Sequence, residues 1–368
     1  MNMKKNIPNA CKVVVIGGGV AGCSTAYHLA KYGWGDTILL ERDVLTSGTT
    51  WHAAGLIGQL GSSATITKLR NYSLNLYKQL EKETGLSTGL KQNGSLTVAT
   101  TEARLEELKR QVTFAQRFNI EANEISIDKI KEIYPLINTE DLVGGVYIPK
   151  DGQADPIGVC NVLAKAAKQN GATIIEKCPI KKILTRNNKI YGVETIFGKI
   201  ECEYVVLAAG MWSRQIASDI GVSIPLYPNE HFYVLSEPIN EINRSLPVLR
   251  DYNNCLYLKE DAGKLLVGVF EPNAKPAFTN NFKVPEDFSF GELPEDFDHF
   301  EPYLIKAMKR IPNLEKSGIR KFFNGPESFT PDTNYLLGET PEIKNLFICG
   351  GFNSIGIVSA GGAGKVTA

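Results

Sequence analysis

The chain is expected to fold as α/β, a parallel sheet with helices on its faces into which a second, mainly antiparallel sheet with helices is inserted. Three observations predict this. Apolar, β-branched runs at 12–16 and 346–349 each empty into glycines, the profile of strands buried on both faces. After the first run, Ala26, Leu29 and Ala30 recur at helical spacing up to Gly33, and 37–40 is a second short strand, so the chain opens with one βαβ unit. In the middle the period changes: 232–235, 255–258 and 264–269 alternate as antiparallel strands do.

The remaining elements follow in order. Helical periodicity predicts helices over 67–84, 102–118 and 127–134, the last stopped by Pro135. Asp151-Gly152-Gln153-Ala154-Asp155-Pro156 is a turn cluster ahead of a helix over 157–169, which Asn170-Gly171 ends. A strand at 173–175, a hairpin over 180–193 around Asn187-Asn188 and a buried strand from Tyr204 to Gly210 come next. Residues 272–295, rich in Pro, Phe and acids, read as a surface excursion before a helix over 297–310. Residues 1–89, 151–221 and 326–368 are thus assigned to the parallel domain, and 90–150 and 222–325 to the inserted one.

Composition excludes several classes. Lys plus Arg equals Asp plus Glu at 40 each, which favours neither a nucleic-acid partner nor an anionic membrane surface. No apolar run approaches the ~20 residues that cross a bilayer. The first twelve residues are a short basic lead, unlike a secretory signal or a transit peptide, which points to the bacterial cytoplasm ahead of the mitochondrial matrix. Seven scattered cysteines form no CxxC pair, so they read as reduced, buried small residues, and no metal site is visible. Residues 361–368 read as a helix that opens without an end, as in a piece of a longer polypeptide.

Gly17, Gly19 and Gly22 fit GxGxxG. The pattern alone is weak, but a strand precedes it, a helix follows it, and Glu41 closes the next strand. Glycines there let a pyrophosphate approach backbone at a helix N-terminus, and Glu41 stands where a carboxylate accepts hydrogen bonds from a ribose. The domain is therefore Rossmann-like and binds a dinucleotide. A nicotinamide domain is usually one continuous block, whereas a flavin domain keeps collecting distant pieces. Two are present: 207–212, with Ala209, Gly210 and Trp212, and 348–356.

Thr46-Ser47-Gly48-Thr49-Thr50-Trp51-His52-Ala53-Ala54-Gly55 resembles the flavin-attachment motif of the dimethylglycine and sarcosine dehydrogenase family, within the wider glycine oxidase and D-amino-acid oxidase-like flavoproteins. The resemblance extends over the chain through the 151–156 turn, Glu230-His231-Phe232-Tyr233, and Asn324 to Asp332. It implies an FAD-binding domain and a substrate domain, with FAD bonded through the 8α carbon of its ring to His52. A cysteine attachment point before Thr330-Pro331-Asp332, as in related sarcosine oxidases, has no counterpart in 324–329. It further implies FAD contacts at Val20, Ala21, Glu41, Arg42, Gly48 to Leu56, Ile180, Trp212 and Gly351 to Ile357, the last stretch including Phe352, Asn353, Ser354, Ile355 and Gly356.

The same resemblance implies His231 and Tyr257 as active-site residues that orient an amine and handle its proton, with Tyr233 a weaker third. A substrate carboxylate needs a cation or several donors, for which Arg250 and Lys259 beside Tyr257 are candidates. The implied reaction is oxidative N-demethylation of dimethylglycine or sarcosine. Hydride passes to flavin N5, and the iminium yields formaldehyde or a one-carbon unit bound to tetrahydrofolate in a further C-terminal domain. Oxygen or an electron-transfer flavoprotein takes the electrons. Oxidation of another secondary or tertiary amine, and a regulatory relative without turnover, are the alternatives.

Overall fold

A computed structural model of the protein describes residues 7–368. Residues 1–6, half of the basic lead, lie outside the described residues. The strand Ala10–Ile16 sits at the centre of the first sheet, paired in parallel with Thr37–Leu40 on one side and Gly198–Leu207 on the other. Thr173–Ile175 and Leu346–Gly350 extend the parallel array outward. The hairpin Ile180–Arg186 and Lys189–Thr195 joins antiparallel to Gly198–Leu207, and both Asn187 and Asn188 have positive φ, as a two-residue hairpin turn demands.

Both faces of this sheet are covered, which explains the unbroken apolar run. Val13 and Val15 point into one core with the helices Val20–Lys31, Ala64–Thr84, Pro156–Gln169 and Gly356–Thr367. Val14 and Ile16 point into the other, with Ile183, Val193 and Ile200 from the hairpin side. The glycines of the last helix make room for its neighbours: a Cβ at Gly362 would lie 2.5 Å from the Leu69 carbonyl oxygen.

The second sheet has eight strands in the order Ile319–Phe329, Tyr227–Ser236, Lys264–Val269, Leu256–Asp261, Val248–Asp251, Ser95–Ala99, Gly144–Ile148 and Asn123–Ile125. All its pairings are antiparallel except one: Val248–Asp251 runs parallel to Ser95–Ala99, where the chain enters the sheet by two separate segments. The helix Phe297–Arg310 covers one face and buries Phe300 and Ala307, while its Arg310 bonds Asp251 at 2.9 Å and Asp141 at 2.7 Å. Ile319–Phe329 is a sheet edge, which is why Pro326 is tolerated in it. This strand runs unbroken across positions 325 and 326, so the boundary expected there falls inside an element of the second sheet.

Candidate active site

Alternation along the strands fixes one face of the second sheet. Phe323, Tyr233, Gly268, Tyr257, Arg250 and Thr97 are successive partners across six strands, so their side chains share a side. His231, paired with Gly325, stands two positions along on the same side, and Glu327 stands four. The ends of the parallel strands (Ile16, Leu40, Ala208 and Gly350) open a cavity of about 630 Å³ that reaches Glu327 and Ser328 of that second sheet. A crevice beyond the carboxyl ends of parallel strands is where doubly wound folds bind ligands.

The cavity fits a dinucleotide. Gly17 has φ +113°, and a Cβ there would lie 2.5 Å from the Ala208 carbonyl oxygen, so only glycine holds this turn. Gly22 packs the helix onto the strand, with a Cβ position 1.9 Å from the Gly17 carbonyl oxygen. Gly19 begins the helix without a side-chain cap, leaving helix N–H groups for an anion. Val20 N–H reaches Thr50 Oγ1 at 3.1 Å. Glu41 is buried and accepts from Gly18 N–H at 2.6 Å and Asp43 N–H at 2.9 Å; burial, the larger effect, nevertheless pushes its pKa up.

Gly17, Gly19, Val20, Ala21, Glu41, Arg42, Gly48, Thr49, Thr50, Ala53, Ile180, Ala209, Gly210, Trp212, Gly351, Phe352, Asn353, Ser354, Gly356 and Ile357 all line the cavity. Gly22, Trp51, His52, Ala54, Gly55, Leu56 and Ile355 do not. Leu56 and Ile57 pair with Gly152–Gln153, and Gly55 accepts from Ala154 N–H at 2.8 Å, so the 151–156 turn clamps the segment that carries His52.

Residues 272–295 run along the surface as expected, and Glu286, Asp287 and Ser289 among them also line the cavity. Arg42 donates to the Phe288 carbonyl at 2.9 Å, Trp212 Nε1 to the Pro285 carbonyl at 3.0 Å, and Ser289 Oγ to Asp43 Oδ2 at 2.6 Å. Arg42 also lies 3.7 Å above the Trp212 ring centre. The acids and prolines of 272–295 suggested a solvated loop, but Val284 is buried with Met211 and Trp212, and Phe278 and Phe288 pack against them.

His52 is buried between Trp51, edge-on at 5.4 Å, and Phe323, tilted at 5.0 Å between ring centres. Burial above all, with His231 adding to it, pushes its pKa down to about 3, so the imidazole is neutral and its nitrogen lone pair is free of a proton. His231 Nε2 lies 3.4 Å from Tyr257 Oη and 3.3 Å from Ser354 Oγ, with the two rings nearly parallel at 6.3 Å. Burial lowers the His231 pKa to about 4 and holds the Tyr257 hydroxyl protonated. Tyr233 stacks on Phe323 instead, at 4.7 Å.

Two groups at this face escaped sequence reasoning. Glu327 lines the cavity; its acid sits inside the motif Asn324 to Asp332, but the strand that turns it inward was not foreseen. Ser354 was expected only as an FAD contact and also meets His231. Arg250 is mostly buried, 3.9 Å from Asp151 Oδ2, and would meet a Cβ on Gly58 at 3.0 Å.

A family model described as FAD dependent oxidoreductase matches residues 12–368. The chain belongs to that family. This FAD-dependent oxidoreductase is 41% identical over 98% of its length to 4-methylaminobutanoate oxidase (formaldehyde-forming) of Paenarthrobacter nicotinovorans, covering 43% of that protein. It is 42% identical to human mitochondrial sarcosine dehydrogenase, with 98% of the chain and 39% of the relative covered. It is 40% identical to the mouse mitochondrial pyruvate dehydrogenase phosphatase regulatory subunit, with 98% and 41% covered. The chain spans about two fifths of the length of these relatives. Among solved structures, L-proline dehydrogenase from P. horikoshii superposes with a TM-score of 0.87 at 27% identity, covering 98% of this chain and 93% of that one.

The oxidoreductase has residues that fit FAD. The glycine turn, the uncapped helix and Glu41 suit the adenosine and pyrophosphate end, while Ser354, which meets His231 of the second sheet, marks the end where a flavin ring would stand. Ser47 Oγ and Trp51 Nε1, in the flanking segment, have no hydrogen-bond partner among the described residues.

Proposed function

We propose that this oxidoreductase removes an N-methyl group from an N-methylated amino acid of the sarcosine or dimethylglycine type, with FAD bonded covalently to His52. FAD, when bound, supplies the acceptor for a hydride from the methyl carbon; hydrolysis of the iminium then releases formaldehyde and the demethylated amine. The observation that carries the reading is that His231, Tyr257 and Arg250 share one face of the second sheet, which Ser354, a cavity-lining residue, joins to the cavity through His231.

Each side chain has a task that its setting supports. Tyr257 and His231 present neutral polar groups that orient an amine without adding charge. Arg250 is the cation for the carboxylate. Its nearest acid, Asp151, already accepts from Gln59 N–H at 2.8 Å and from Ser95 Oγ at 2.6 Å, leaving guanidinium donors for a ligand. Lys259, on the same face, is surrounded instead by Asp155, Glu260 and Asp261. Neutral His52 suits bonding to the flavin 8α carbon, since a protonated imidazole has no free pair for the bond. Oxygen or an electron-transfer flavoprotein would take the electrons, and tetrahydrofolate would enter only through a further C-terminal region.

Flavin bleaching under anaerobic conditions tests the reading. Sarcosine, dimethylglycine, 4-methylaminobutanoate and L-proline are mixed in turn with the FAD-loaded protein, and air is then admitted. Bleaching by an N-methyl amino acid, with formaldehyde as product, is expected; recolouring by air alone identifies oxygen as acceptor. Bleaching by proline alone favours another amine. No bleaching by any of them favours a regulatory protein, a second reading that the 40% identity to the phosphatase regulatory subunit keeps in view.

A further inference from the structure

An amine substrate reaches neutral water as an ammonium ion, and its nitrogen must lose a proton before the adjacent C–H bond can give up a hydride. The site described so far has no good acceptor for that proton. Tyr257 is protonated already, and His231, with its pKa near 4, holds a proton poorly. A base works best when its pKa lies near the operating pH.

Glu327 meets the requirement. It is buried, lines the cavity from the edge strand Ile319–Phe329, and points to the same face as His231, Tyr233 and Tyr257. Ser354, from the loop before the last helix, donates toward its carboxylate and also contacts His231 Nε2 at 3.3 Å. Tyr257 feels the carboxylate's charge from across the sheet, as does Tyr233. Among the described residues no Lys or Arg is paired with Glu327. A buried carboxylate without a cation is costly, and a cationic substrate would relieve that cost on arrival. Burial raises its pKa to about 7, three units above that of His231.

We propose that Glu327 accepts the proton of the substrate ammonium, with Ser354 and His231 as positioning residues that hold its carboxylate toward the cavity. The inference rests on the amine-oxidase reading above. In the step an N–H bond breaks, its electron pair stays on nitrogen as the lone pair, and the proton forms an O–H bond on Glu327. No electrons leave the substrate in this step; the hydride follows separately.

Glu327→Gln and Glu327→Asp are compared with the parent protein in the FAD-loaded state, with flavin absorbance reporting that each is folded. Glu327→Gln is expected to slow anaerobic bleaching by an N-methyl amino acid about 100-fold or more near neutral pH. The loss should shrink as pH rises toward the pKa of the amine, where free amine is supplied by solution. Glu327→Asp should recover part of the rate. A readout independent of turnover is the infrared band of a protonated carboxyl group. It should grow when sarcosine binds the FAD-loaded parent protein whose flavin has been reduced beforehand, and not with Glu327→Gln or with glycine betaine, which has no N–H proton. A parent that bleaches while Glu327→Gln keeps its rate and pH profile overturns the proposal alone, and so does a band unchanged by sarcosine. A parent that bleaches with no amine overturns both readings. If Glu327→Gln loses flavin, the rate of Glu327→Asp and the infrared band of the parent decide between these outcomes.

Discussion

The His52 imidazole lies against the backbone of Gly325: a Cβ built on that glycine would fall 2.8 Å from Cε1 and 2.9 Å from Nδ1. The segment after the second parallel strand, which carries His52, and the edge strand of the inserted sheet are thereby fitted to each other. Gly325→Ala would also meet Phe323 Cε1 at 2.4 Å, so it must shift the imidazole, the Phe323 ring packed on it, or the strand. The expected result is FAD that still binds but is released on acid precipitation, while the parent pellet stays yellow. His52→Ala should release its flavin as well. A colourless parent pellet would refute the covalent bond, and a Gly325→Ala pellet as yellow as the parent's would refute the fit.

Much of this arrangement could be read from sequence. The glycine turn, Glu41 and the apolar runs specify the parallel sheet because local rules govern them: period, glycine placement, an acid at a strand end. His231 and Tyr257 were found by resemblance, and their meeting depends on pairing across three strands, which no local pattern reports. Ser95–Ala99 and Gly144–Ile148 were missed because their alternation is weak, since Ser95–Ala99 is buried at every position. Residues 284–289 lie at the surface as expected, but their part in the cavity wall was not legible, because it depends on Val284 and Phe288 packing against Met211 and Trp212 far along the chain.

Two buried histidines predict acid sensitivity in the FAD-loaded protein. His28 and His231 are each pushed to about 4, mainly by burial, from an ordinary 6.5. Below pH 6.5 the unfolded chain takes up protons that the folded one refuses, so stability falls as pH drops from 6.5 toward 4. At roughly 1.4 kcal/mol per pKa unit, each contributes on the order of 3 kcal/mol at neutral pH. Glu327, raised to about 7 from 4.5, acts oppositely and offsets about one histidine over the same window. The urea midpoint should therefore be lower at about pH 5 than at about pH 7, and the drop should be steeper in Glu327→Gln. An unchanged midpoint would contradict the neutral histidines.

Gly268 makes room for Tyr257. A Cβ at Gly268 would come within 2.0 Å of the tyrosine Cζ and 2.2 Å of its hydroxyl oxygen. Gly268→Ala should therefore displace the ring while leaving the flavin cavity untouched. A misplacement of about 1 Å can cost on the order of 100-fold in rate, whereas Tyr257→Phe, which removes only the hydroxyl, should cost about 10-fold. Steady-state kcat with flavin content as the control separates the two. Equal kcat in Gly268→Ala and the parent would show that the ring position is immaterial.

Arg250 is expected to carry the preference for an amino acid over a plain amine. Its register partner on one side is Tyr257 and on the other Thr97, so a carboxylate held by the guanidinium would lie beside the hydroxyl that orients the nitrogen. Arg250→Lys keeps the charge but loses the two-pronged geometry; Arg250→Met loses both. A charge-assisted hydrogen bond contributes about 1.5–3 kcal/mol, so Arg250→Met should raise KM for an N-methyl amino acid roughly 10- to 100-fold with a smaller change in kcat. Arg250→Lys should fall between. Asp151 remains held by Gln59 and Ser95 in both variants, so the wall itself should stand. The discriminating substrate is one without a carboxylate, such as trimethylamine: its poor kcat/KM should hardly change in Arg250→Met. If both substrates weaken equally, Arg250 supports the wall and does not read the carboxylate.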